Sequence, residues 1–140
     1  MAEYSKPLPF INDPDYAPFW EGARRHELLV RRCKQCGECQ WPPRPMCSHC
    51  HSFDFEWVKA SGKGTLYTYT VAYRAFHPAF QNDVPYGVLV VELDEGSRLM
   101  GNSEGIEPEN IRIGMRMEAV FKDVTEQVTL VNWKPLSTGS

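Results

Sequence analysis

A chain of 140 residues, 42% hydrophobic and 24% charged, has room for one compact domain or a small domain with a metal-held appendage. Its net charge of −3 argues against a dedicated nucleic-acid binder. The longest apolar run, Val88 to Val91, is far too short for a membrane span, and MAEYSKPLPF carries no basic stretch followed by an apolar block, so a cytoplasmic location is expected. Charge is unevenly spread: six basic residues lie between Arg24 and Arg44, while acidic residues dominate from Glu92 to Glu126.

Residues 1–13 are Pro-rich and aperiodic and read as an arm. Asp13-Pro14-Asp15 predicts a helix start, with a carboxylate cap and a proline in the first turn; the helix should run to about His26 with Phe19, Trp20 and Ala23 on one face. Leu28 to Val30 lead into a first strand, and Cys39-Gln40-Trp41 reads as another before a Pro-rich turn. After Trp57 the pattern changes to period two. Strands are expected at 64–73, 86–93, 97–102, 115–121 and 127–133, with a turn at Asp94-Glu95-Gly96 and a longer connection at 105–113 holding a helical turn. In the first of these, Tyr67, Tyr69, Val71 and Tyr73 are assigned to one face, with Leu66, Thr68, Thr70 and Ala72 on the other. Val88 to Val91 are apolar on both faces, so one face fills the core and the other needs a cover. Five short strands in this arrangement fit an OB-type barrel, with an open sandwich as the alternative.

Four of the five cysteines form two C-x-x-C pairs, Cys33/Cys36 and Cys47/Cys50, separated by ten residues. Two intervening residues let a tight turn aim both sulfurs at one ion about 2.3 Å away, and two such knuckles supply a tetrahedron. Four thiolates leave no open coordination position, so the expected metal is structural Zn2+. Gly37 follows the first pair, where positive φ is needed, and His51 stands in the equivalent place after the second. His49 and His51 are expected to be solvated, and Cys39 to act as a small apolar residue.

In order along the chain, Phe19-Trp20-Glu21-Gly22, Cys33-x-x-Cys36-Gly37, Trp41-Pro42-Pro43-Arg44-Pro45 before Cys47-x-x-Cys50, Gly62 to Val71, Val84-Pro85-Tyr86 and Ile113-Gly114-Met115 resemble the DUF35 family of zinc-ribbon OB-fold proteins. The resemblance covers Phe19 to about Pro135. It implies a mainly β fold: an N-terminal arm and helix (1–27), a rubredoxin-like four-cysteine ribbon (28–58) and a five-stranded OB-fold domain (59–137). It also implies a subunit that accompanies a thiolase-superfamily chain, or else a hydratase or aldolase acting on CoA thioesters, and that helps complete a coenzyme A path. His51, where the family often has glycine, and Cys39 depart from the pattern without touching the four ligands.

The residues themselves offer no acyl-transfer apparatus: there is no G-x-S-x-G elbow, Ser103 sits in a strand-end turn and His77 in a loop. If the chain contacts CoA, Arg44, Lys63 and Arg74 are the candidate phosphate partners. Single-strand nucleic-acid binding, a frequent task of OB barrels, would want aromatics beside a basic groove, and Glu92, Asp94 and Glu95 oppose it. The expectation is therefore a non-catalytic accessory subunit of a thiolase-type acyl-CoA complex, with no nucleic-acid or membrane partner.

Overall fold

The structure is a computed structural model and describes residues 6, 8–41, 43–75 and 77–136. Much of the N-terminal arm read from the sequence, and Pro42 of the Pro-rich turn, therefore lie outside the described residues. One helix, α1 (Ala17–Arg24), precedes eight strands: β1 (Leu29–Cys33), β2 (Cys39–Gln40), β3 (Phe55–Lys59), β4 (Lys63–Ala72), β5 (Tyr86–Leu93), β6 (Arg98–Asn102), β7 (Arg116–Asp123) and β8 (Thr129–Pro135). The first three make an antiparallel sheet in the order β2-β1-β3; the last five run β6-β5-β4-β7-β8. Short 3₁₀ turns occupy Pro78–Phe80 and Pro108–Asn110, the latter inside the expected long connection. No helix among the described residues is long and apolar enough to cross a membrane.

The helix is shorter than its sequence suggests at both ends. The Asp13 carboxylate accepts from the Asp15 N–H at 3.0 Å, so it caps a turn upstream of α1, and Tyr16 takes the N-cap position with no side-chain cap. At the other end His26 adopts φ +60°, which stops helical hydrogen bonding at Arg24. Ala23 is fully buried and Phe19 nearly so. A Cβ at Gly22 would lie 2.7 Å from Leu29 Cγ and 3.0 Å from the Glu27 carbonyl, so only glycine lets α1 approach β1 this closely.

The five-stranded sheet curls into a near-closed barrel. Between β6 and β8 the seam is held by a parallel bridge from Ser103 to Trp133 and by the Glu104 N–H donating to the Trp133 carbonyl at 2.8 Å. Leu66, Leu89, Val91, Leu99, Ile111, Met117 and Trp133 fill the interior, each 2% exposed or less. The period-two assignment for β4 fails at one point. The pairing with β5 passes from Leu66↔Val91 to Thr68↔Val90, so Tyr67 is an extra, bulged residue. The bulge resets the alternation, and Leu66 and Tyr69, assigned to opposite faces from the sequence, both pack on the core. Displaced Tyr67 is 47% exposed and lies under the Arg98 guanidinium, 3.8 Å from ring centre to charge. On β5, Leu89, Val91 and Leu93 point inward; Val88 on the outer face meets a hollow bounded by Trp20 of α1 and Trp41 of the ribbon.

Candidate functional site: a four-thiol centre docked on the barrel

The two knuckles are built alike in their backbones. The Gly37 N–H donates to the Cys33 carbonyl and the His51 N–H to the Cys47 carbonyl, each at 2.9 Å. The Cys33 N–H reaches the Glu38 carbonyl at 2.9 Å, and the Cys47 N–H reaches that of Ser52 at 2.8 Å. Gly37 has φ +80° and His51 φ +66°, so an exposed histidine holds a left-handed position that glycine fills in the first knuckle. β3, for which the sequence reading names no strand, completes the sheet: its pairing sets Cys33 opposite Phe55 and Arg31 opposite Trp57.

Folding brings the four expected sulfurs, those of Cys33, Cys36, Cys47 and Cys50, within 4.8 Å of one another. The Cys33–Cys50 and Cys36–Cys47 pairs stand 3.5 and 3.6 Å apart. A zinc ion with four Zn–S bonds of about 2.3 Å spaces its sulfurs by about 3.8 Å, so the cluster has the right size for that ion and is far too open for disulfides of about 2.05 Å. The four thiols shift in opposite directions, two down and two up. The Cys36 N–H, above all, lowers the Cys33 thiol from 9.0 to about 6, with burial opposing and the Gln35 N–H and nearby thiols adding. For Cys36 the Glu38 N–H also pulls down, yet burial and the neighbouring thiols raise it to about 12. Cys47 is lowered, chiefly by the Cys50 N–H; at Cys50 the Ser52 N–H pulls down, but the net shift is upward through burial and the Cys33 and Cys47 thiols. Four like charges this close cannot coexist in a partly buried cluster without a compensating ion. Cys39 stays outside this set, half-buried in β2, its thiol pushed up by burial.

The other residues singled out from the sequence are not brought into one site. Lys63 opens β4 and Arg74 follows its far end, about 30 Å of extended chain away. The Lys63 carbonyl accepts from the Asp94 N–H at 3.0 Å, and its charge helps to lower the Asp94 carboxyl. Arg44 borders a hollow of about 310 Å³ between the ribbon and the β5–β6 turn, together with Gln40, Ser97 and Arg98. Gln40, Ser97 and Arg98 were not distinguished in the sequence, and no periodic or motif signal marks them. Ser103 and His77 serve the backbone: Ser103 Oγ accepts from the Gly87 N–H at 3.0 Å, and His77 Nδ1 from the Ala79 N–H at 3.1 Å. His26 Nε2 lies 3.0 and 3.1 Å from the Asp123 carboxylate oxygens and its ring stacks on Phe121, which pins the chain after α1 to β7.

Aromatic rings join the modules. Trp41, just beyond β2, contacts Tyr16 and Phe19 of the helical segment at centroid distances of 5.6 and 4.6 Å, and Trp57 of β3 at 6.5 Å. Trp41 thereby packs the ribbon against the helical segment, and helix, ribbon and barrel share one hydrophobic cluster.

Comparison with known proteins agrees with this two-module architecture. Residues 20–56 match the model described as "ChsH2, rubredoxin-like zinc ribbon domain", and residues 57–122 that of "ChsH2, C-terminal OB-fold domain". The chain is 42% identical over 130 residues to the "Probable enoyl-CoA hydratase alpha subunit" of Thermomonospora curvata, covering 93% of this chain and 40% of that protein. It therefore spans about two fifths of that relative's length. A "DUF35 domain-containing scaffold protein" of Methanocaldococcus jannaschii is 41% identical over 103 residues, 73% of this chain and 72% of that one. The "Benzoylsuccinyl-CoA thiolase subunit BbsA" of Thauera aromatica is 28% identical, with 86% and 83% covered. Among solved structures, the "Ltp2-ChsH2(DUF35) aldolase" superposes with a TM-score of 0.79 at 41% identity, covering 88% of this chain and 95% of that one. Ribbon, barrel and relatives agree, and the chain belongs to the DUF35/ChsH2 family of proteins that join a zinc ribbon to a C-terminal OB-fold domain.

Proposed function

We propose that this chain is a non-catalytic accessory subunit of a heteromeric acyl-CoA enzyme complex, partnered by a thiolase-superfamily chain whose CoA site it helps to shape. One observation carries the reading. The four clustered thiols would leave a bound ion no open coordination position, and the side chains that could have served as nucleophile or base, Ser103 and His77, already accept backbone hydrogen bonds. Likeness to a thiolase subunit supports the thiolase partner. Higher identity to a hydratase alpha subunit and to an aldolase structure favours the second reading, in which the partner is one of those enzymes.

Cys33, Cys36, Cys47 and Cys50 would hold one Zn2+ as a structural clip; when bound, the ion supplies a fixed charge and four directed bonds and no catalytic position. The division into arm and helix (1–27), ribbon (28–58) and OB domain (59–137) belongs to the same proposal, in which helix, ribbon and barrel dock on the partner together. Expressed alone, the chain is expected to be poorly soluble and to turn over no acyl-CoA. Capture of its partner from the native host, identified by mass spectrometry, followed by assays of thiolysis, hydration and retro-aldol cleavage on the reconstituted pair, tests the reading and separates its two forms. Turnover of an acyl-CoA by the pure isolated chain overturns it.

A further inference from the structure

The seam between ribbon and barrel is polar and incompletely paired. Gln40 of β2 and Ser97 before β6 form part of the wall of the 310 Å³ hollow. Gln40 Oε1 and Nε2 and Ser97 Oγ are all buried and have no hydrogen-bond partner among the described residues; Ser97 as a whole is 5% exposed. Native interiors leave few such atoms unpaired, and three on one wall mark a place where a polar group belongs. The charges at the rim say which kind. Arg44 approaches from the ribbon and Arg98 from the barrel. Arg44 enters no ion pair among the described residues, while Arg98 is held over Tyr67 and meets Glu92 only at 3.7 Å. Glu95, in the same turn as Ser97, accepts from the Ser61 N–H at 2.9 Å through Oε2, while its Oε1 is also buried with no hydrogen-bond partner among the described residues. It does not line the hollow, and the two arginines at the rim outweigh its single charge.

We propose that this hollow is an oxyanion site that takes a phosphate group. The Arg44 and Arg98 guanidiniums meet its charge, and rotation of the Gln40 and Ser97 side chains turns Nε2–H and Oγ–H onto its oxygens. Arginine suits this task because its planar fork offers paired donors to a phosphate. Since the two arginines come from different modules, a bound phosphate also ties the ribbon to the barrel. The site stands on these residues; only the source of the phosphate, a phosphoester of a CoA thioester rather than the free ion, rests on the function proposed above.

Calorimetric titration of the zinc-loaded full chain, kept in solution by fusion to a solubility tag that binds no phosphate, with inorganic phosphate, adenosine 3′,5′-bisphosphate and adenosine tests it. Both phosphates are expected to bind and adenosine not to. Arg44→Gln and Arg98→Gln should each weaken binding about tenfold or more, and Ser97→Ala about threefold, with zinc content and far-UV spectrum unchanged. Lys122→Gln, on β7, should bind like the wild type. Tighter binding of the bisphosphate identifies a nucleotide source, and equal binding identifies the free ion; either supports the site. Equal affinities in wild type and Arg44→Gln, or amide shifts on phosphate addition that miss Gln40 and Ser97, overturn it, as does an acidic peptide that binds at this seam in preference to phosphate. An Arg44→Gln protein that loses phosphate yet still captures its partner supports the site separately from the docking role. A wild type that captures its partner but binds no phosphate overturns the site and leaves that role intact.

Discussion

His51 and Gly37 occupy equivalent places in two knuckles, and only one of them is glycine. A left-handed histidine carries a backbone cost that glycine avoids. His51→Gly is therefore expected to raise zinc affinity about two- to fivefold, read by chelator competition; an unchanged or lower affinity would show that the His51 side chain contributes something the backbone account omits. The ligands themselves obey a harsher rule. Cys36→Ser removes one of four sulfurs from a module whose folding and metal binding are coupled, so the variant should lose its zinc, melt the ribbon and fail to capture the partner. A metal-free variant that still assembles would contradict this. The pairs of C-x-x-C made this residue-level chemistry readable without coordinates, because spacing alone aims two sulfurs at one point. His51's conformation was readable as well, by analogy with Gly37. Gln40 and Ser97 were not: nothing in a local pattern announces that a polar side chain will be buried against another module.

At the scale of elements, the β5–β6 turn is tied to β7 by Arg116, which donates to the Asp94 carboxylate oxygens at 2.8 and 2.9 Å. That hydrogen bond, first of all, holds the Asp94 carboxyl below its ordinary 3.8, with burial opposing and the charges of Arg116 and Lys63 adding. A carboxyl lowered by folding stabilises the native state at pH values above 3.8, and the contribution disappears as the pH falls through the lowered native value. Asp94→Asn is thus expected to lower Tm by a few degrees at neutral pH, with the gap to wild type constant down to about pH 5 and closing in more acid solution. Any metal held by the four thiols is expected to leave both proteins in acid, so the difference between them is the measurement, and a gap that persists below about pH 2 would refute the assignment. Strand positions followed from period-two patterning to within a few residues. The inward set of β4 did not, because the bulge at Tyr67 inserts one residue and reverses every later side chain. The helix start was also misplaced: Asp13 caps, but it caps a turn.

Taken whole, the molecule is a ribbon and a barrel that share one hydrophobic cluster with α1, and Trp41 clamps the ribbon to the helical segment, its ring meeting Tyr16, Phe19 and Trp57. Trp41→Ala should keep its zinc, since no ligand is touched, yet lose about 2–4 kcal/mol in denaturant unfolding and capture partner less well. A variant of wild-type stability would mean that the modules cohere by other contacts. Zinc removal by a chelator is expected to abolish capture in both proteins, which separates clip from clamp. Cysteine spacing, alternating apolar residues and turn glycines are local features, and they were enough to place a four-thiol ribbon ahead of an OB barrel. The relative placement of the two modules, and with it the placing of Arg44 and Arg98 on one hollow, depends on contacts between residues distant in the chain. Such contacts are chosen by packing around Trp41 and Trp133 once the whole chain has collapsed, and no periodicity in the text encodes them.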